Sequence, residues 1–258
     1  MLINIQIYTF ISHTVLKKKL FLRHNFEKKD MAKKKAQQED NLQELESALT
    51  KTEHFIEENQ KIITYIVGAV VLVVVVFLGF QKFYLQPKES EAQSQMFMAE
   101  SYFEKDSFNL AINGDGNYLG FLDIISDYGI TKSANLAKYY AGISYLHLGQ
   151  YEEALDYLDK FKTDDLLLEP IKEGAKGDAC LELGELDEAL KQYKKAYLLN
   201  ENELTTPIYM MKAANLLETM DELEEALSLY EKLKEDYPNS TEGRNADRYI
   251  SRLKIKLG

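Results

Sequence analysis

Four histidines, one cysteine and one glycine-rich acidic run are the residues of this chain whose types could do chemistry. His13, His24, His54 and His147 are scattered and form no metal-ligating spacing. Cys180 has no second cysteine to pair with, so no internal disulfide can form. It falls at a packed position of the pattern described below, which makes it a core thiol rather than a nucleophile. Asn113, Asp115 and Asn117 alternate with Gly114 and Gly116 and could offer oxygen ligands to calcium. A calcium loop of the EF-hand type would then need Gly where Tyr118 stands and Glu where Ile124 stands. It fails on both, and a turn is expected. The acid pairs Glu152/Glu153, Asp187/Glu188 and Glu224/Glu225 recur in step, which suits helix N-termini rather than acid–base work. No phosphate loop, dinucleotide fingerprint or metal cluster is present in the sequence. No catalytic residue, cofactor site or metal site is therefore expected, and function falls to a binding surface.

The elements that carry such a surface are repeats. Gly142, Tyr145, Gly149, Tyr151 and Ala154 make one series, and Gly177, Cys180, Gly184, Leu186 and Ala189 repeat it 35 residues on, extended by Tyr193 and Ala196. Ala214, Leu217, Asp221, Leu223 and Ala226 make a third, extended by Tyr230 and Pro238. The positions are offsets 8, 11, 15, 17, 20, 24, 27 and 32 of a tetratricopeptide repeat, a pair of antiparallel helices of about 34 residues. Small residues at 8 and 20 let the helices approach, and larger ones at 11, 17 and 24 fill the space between. Met98, Ala99, Tyr102, Phe108 and Ala111 match an earlier, irregular unit, interrupted at Asn113–Asn117 and resumed at Phe121, Ile124, Ile125 and Tyr128. After Pro238, the stripe Ala246, Tyr249, Ile250, Leu253 and Leu257 gives a terminal capping helix. The units are expected at about 92–134, 135–168, 170–203 and 207–240, with the cap at 241–257, in a repeat domain spanning 91–258.

First helices of such units line a groove. Its expected lining is Leu136, Tyr139, Ile143 and Leu146 in one unit, then Ile171, Gly174, Asp178 and Leu181. Ile208, Met211, Asn215 and Glu218 complete it in the next. One end is apolar and aromatic, the other acidic and polar, which suits an extended or helical segment of a protein partner.

Upstream lies a stretch of a different kind. The 19 residues Ile62–Phe80 carry no charge, and Val70–Val76 is almost all valine. At about 1.5 Å per residue this run crosses a hydrocarbon core of roughly 30 Å. A buried helix of a soluble domain keeps a polar face, and this one has none. A transmembrane helix is expected over 62–84. Residues 81–258 hold 20 basic against 33 acidic side chains, which disfavours phosphate backbones and so nucleic acid.

Residues 31–61 read as a cytoplasmic tail with an amphipathic helix. Leu42, Leu45, Leu49, Thr52, Ile56, Asn59 and Ile63 follow helical spacing, and a homodimer through 42–63 is one use of that stripe, a lone amphipathic helix the other. In residues 1–30, Lys17–Lys19 follow the apolar part, where a signal peptide has its basic residues first. Met31, followed by Lys33–Lys35, is the expected start, with 1–30 expected as a non-native upstream extension or a disordered segment. The Lys33–Lys35 cluster places the N-terminus inside, and the repeat domain then faces outward.

The order of basic tail, single span and acidic repeat domain, with stretches such as Asn113–Gly120 and Asn135–Ala154, resembles the bacterial YfgM-type ancillary subunit of the SecYEG translocon. That resemblance implies a single-pass bacterial inner-membrane protein with a periplasmic repeat domain. Its implied partners are translocon subunits, periplasmic chaperones or nascent chains, and its role is to hand emerging polypeptides to chaperones. The family has no catalytic residues to carry over. The alternative from the same residues is a cytoplasm-facing repeat scaffold for envelope or cell-division assembly. The expected fold is all-α: one transmembrane helix, a tetratricopeptide solenoid and a C-terminal capping helix.

Overall fold

The structure, a computed structural model, describes Thr50 and residues 54–258. The expected start at Met31, its upstream segment and most of the 42–63 stripe lie outside the described residues. The chain divides into two compact units between Phe77 and Leu78. Helices account for both, and no strand occurs among the described residues.

Helix α1 (His54–Glu104) holds the uncharged run, and none of its most apolar window is buried. Among the described residues it is the one helix long and apolar enough to cross a membrane. A π-turn, Gln81–Leu85, follows the apolar run. Pro87 comes just after it and has no N–H to return to a carbonyl one turn back, and a widened turn accommodates that loss.

The second unit is an array of antiparallel helices. Its irregular start joins the last part of α1, Gln86–Glu104, to two short helices, α2 (Phe108–Asn113) and α3 (Phe121–Asp127). Three hairpins follow: α4 (Lys132–His147) with α5 (Tyr151–Lys160), α6 (Leu168–Glu182) with α7 (Leu186–Leu199), and α8 (Thr206–Thr219) with α9 (Leu223–Asp236). Helix α10 (Thr241–Leu257) packs on α9 at the end. Each hairpin also packs on the next, α5 on α6 and α7 on α8.

Close approach within each hairpin depends on the small residues. Ala111, Ala154, Ala189 and Ala226 are all fully buried. A Cβ on Gly142 would stand 2.7 Å from Leu158 Cγ, and one on Gly177 would stand 2.6 Å from the Tyr193 ring. The turn between paired helices reverses through a left-handed residue each time: Asp106, Gly149, Gly184 and Asp221 all have positive φ. Local side chains start the helices. Thr131 Oγ1 accepts from Ala134 N–H, Asp165 accepts from the Leu167 and Leu168 N–H groups, and Ser240 Oγ accepts from Gly243 N–H.

Candidate protein-interaction groove

The first helices α6 and α8 run side by side in register. Gly174 makes room for the Tyr209 ring, which a Cβ there would meet at 1.9 Å. One turn on, Lys212 Nζ donates to both oxygens of Asp178 at 2.6 and 2.7 Å. The hydroxyl of Tyr193, reaching over from α7, donates to the same carboxylate at 2.7 Å. Burial, and then this carboxylate, push the Tyr193 phenol far above its ordinary range, so it stays a donor. The next unit repeats the arrangement. Tyr230 donates to Asn215 Oδ1 at 2.6 Å and to Glu218 Oε1 at 2.9 Å. Arg252 of α10 closes on Glu218 through contacts of 2.6 and 2.7 Å. A tyrosine at offset 24 thus bonds a polar residue at offset 9, fifteen positions earlier, in both units. In the first regular unit the same offsets hold the apolar residues Ile143 and Leu158.

Beside these polar clamps is a cavity of about 330 Å³. Of the residues expected in a groove it brings together Asp178, Leu181 and Asn215. Tyr193, Lys212, Leu216 and Thr219 share the lining and were not expected there. The signal for Lys212 was available as a charge one repeat, 34 residues, from the Asp178 carboxylate. Leu181 and Ile208 are exposed. Met211 is half-buried against the last core clusters, and Glu218 is engaged by Tyr230 and Arg252.

At the other end, Leu136 packs against the first core cluster. Tyr139 lies against Phe161 at 5.4 Å and Tyr140 at 5.7 Å, and burial raises its phenol pKa. Ile143, Leu146 and Ile171 are half-buried. These residues do not line the cavity. They form the apolar continuation of the same succession of first helices.

Sequence reading missed the most buried charge of the unit. Glu173 on α6 is 1 % exposed. Three lysines surround it: Lys195 at 3.0 Å, Lys172 at 3.2 Å and Lys176 at 3.5 Å. Lys176 also reaches Asp159 at 2.6 Å. Burial alone would raise the Glu173 carboxyl, but the lysines outweigh it and hold the group below its ordinary value. This cluster ties α5, α6 and α7 to one another.

The remaining chemical candidates are occupied by structure. Cys180 is buried, and burial raises its thiol pKa, so it holds its proton. Asp115 accepts from Asn117 and Tyr118 N–H groups and from the Tyr102 hydroxyl, while Asn113 bonds Asn109. No group of three or more metal-ligating side chains occurs among the described residues. His147 stacks on Phe108 at 4.4 Å.

Comparison with known proteins agrees with this geometry. One tetratricopeptide-repeat family model matches residues 136–165 and 209–240, and a second matches 174–203. Two solved structures from Podosopora anserina, described as kinesin light chain nearly identical TPR-like repeats, superpose with TM-scores of 0.52. One carries a single substitution. Each is 14% identical, and the match covers 66% of this chain and 88% of theirs. At that identity the likeness is one of fold. No curated protein matches the sequence. The chain carries tetratricopeptide repeats, and its fold is an all-α solenoid preceded by a long apolar helix.

Proposed function

We propose that the protein is a membrane-anchored, non-enzymatic scaffold whose repeat groove holds a segment of a protein partner. The observation that carries this reading is the joining, in one chain, of an uncovered apolar helix to a repeat array with a half-open cavity between its first helices. The groove is assigned to Leu136, Tyr139, Ile143 and Leu146, then Ile171, Asp178 and Leu181, then Ile208, Met211, Asn215 and Glu218. In the finer reading the protein sits in a bacterial inner membrane with its N-terminus in the cytoplasm. The repeat domain is then periplasmic and assists translocation or chaperone hand-over at the Sec translocon. The lysine cluster Lys33–Lys35 and the order of the segments support that orientation.

Two experiments test it. Reporters fused after Gly258 distinguish the sides of the membrane: activity of the exported reporter alone is expected. Activity of the cytoplasmic reporter alone overturns the orientation and leaves a cytoplasm-facing scaffold. Photo-crosslinkers at Leu181 and Ile208 should then trap translocon subunits or chaperones. Their consistent absence among the products overturns the translocon assignment.

A further inference from the structure

The second unit has two unlike edges. The first helices all begin at one of them. Glu89, in the opening turn of Gln86–Glu104, accepts from the Lys132 and Ser133 N–H groups at 2.6 and 3.1 Å, so that helix and α4 start together. Asn135, in the first turn of α4, exchanges two hydrogen bonds with Lys162 in the loop that leads to α6. The register of α6 with α8 brings Leu204 and the start of α8 to the same side. Just ahead of each first helix stands an exposed apolar residue: Ile130 (58 %), Leu166 (65 %) and Leu204 (60 %). The opposite edge holds the hairpin turns at Asp106, Gly149, Gly184 and Asp221, where exposed large apolar residues do not recur from turn to turn: Leu148 stands at one turn, and Ile255 and Leu257 at the C-terminal end of α10, whose Lys256 reaches Asp221.

The chain enters the second unit at the first of these edges. Leu78–Leu85 lead directly into Gln86, and Phe83 (79 %) and Tyr84 (48 %) lie there exposed. Aromatic rings at the end of an apolar run belong to the headgroup level of a bilayer. Lys88 ties this entry to the Ile130 loop: its Nζ donates to Asp127 O at 3.1 Å and lies over the rings of Tyr84 and Tyr128.

We infer that this edge is a lipid contact, in which Ile130, Leu166 and Leu204 enter the headgroup region continuous with Phe83 and Tyr84. The inference rests on the membrane anchoring proposed above. Isolated apolar side chains recurring at each loop suit a lipid surface, which takes them singly without a shaped pocket. Asp164, Asp165, Glu201 and Glu203 lie in the same loops, so the surface that fits is zwitterionic rather than anionic.

The test uses the full chain reconstituted in phosphatidylcholine vesicles. Cys180 is 2 % exposed, so a cysteine-directed environment-sensitive dye labels an introduced surface cysteine in the folded chain and leaves the unsubstituted chain unlabelled. Dye on Ile130→Cys, Leu166→Cys or Leu204→Cys should lose about half its emission to a lipid-borne quencher, as expected for side chains about 5–10 Å into the headgroup boundary. Dye on Glu185→Cys or Glu222→Cys should lose none. Chains that float with the vesicles but show no quenching at the three loops overturn the lipid contact and leave the anchor standing. That outcome would assign the apolar edge to a protein partner. Chains that fail to float overturn both readings. Quenching that weakens as phosphatidylglycerol is added supports the zwitterionic preference, and quenching that strengthens overturns it.

Discussion

At the scale of single residues, the hairpins are held at a separation that one methyl group can change. Gly177 faces a fully buried Tyr193, and an added Cβ would come within 2.6 Å of two ring atoms. The ring cannot swing away without breaking its bond to Asp178. Gly177→Ala should therefore cost about 1–3 kcal/mol of stability, as overpacking of a filled core does. Urea unfolding followed by helical circular dichroism reads this, since the chain has no tryptophan. Glu173 makes a second residue-scale prediction. Its folded carboxyl lies below the ordinary 4.5, so its contribution to stability is present above pH 4.5 and is lost as the pH falls through the lower folded value. Glu173→Gln should remove that part of the acid-side fall. It should also destabilise the neutral-pH fold by about 3 kcal/mol, because Lys172, Lys176 and Lys195 are left facing one another. An unchanged acid limb in the variant would show that other carboxylates govern it.

At the scale of elements, what the sequence made legible was whatever recurs. Small residues at offsets 8 and 20 recur because two helices cannot approach closely otherwise, and the fold class follows from them. The left-handed turn recurs too, although Asp106 and Asp221 replace glycine at two of its four sites. Contacts between elements far apart in sequence left no such trace. The pairing of Glu173 with Lys195 has no local period, and the Asp178–Tyr193 and Asn215–Tyr230 clamps become visible only when offsets 9 and 24 are read together. Leu181 was placed in the groove by its offset alone, while its neighbours Lys212 and Thr219 lie on another helix. The bridge from Glu89 to the start of α4 belongs to the same hidden group. It supplies acceptors for two backbone N–H groups and for Ser133 Oγ at 2.7 Å. Glu89→Ala should destabilise this junction by about 1–2 kcal/mol. Hydrogen exchange should accelerate at Lys132 and Ser133 and leave α8 and α9 unaffected. Equal acceleration in both regions would mean that the array opens as one body.

At the scale of the whole molecule, the array is a row in which each hairpin contacts its neighbours, so stability is passed along by shared faces. Helix α10 covers the last of these. It buries Ala246, Ile250 and Leu253 against Ala214, Leu217, Ala226 and Tyr230, and its Arg252 holds Glu218. A chain ending at Asn239 would leave Tyr230 with one face in water and Glu218 without its cation. In a nearest-neighbour row, that loss falls first on α8 and α9 and fades toward α4 and α5. Hydrogen exchange on the shortened chain in detergent should therefore show α9 amides unprotected, α7 amides partly protected and α4 amides unchanged. The groove would respond unevenly. Asn215 and Glu218 would lose their fixed geometry, while Asp178 would keep Lys212 and Tyr193 as long as α8 stays docked on α7. A uniform loss of protection from α4 to α9 would refute nearest-neighbour transmission. It would also make the cap a determinant of the whole groove rather than of its polar end.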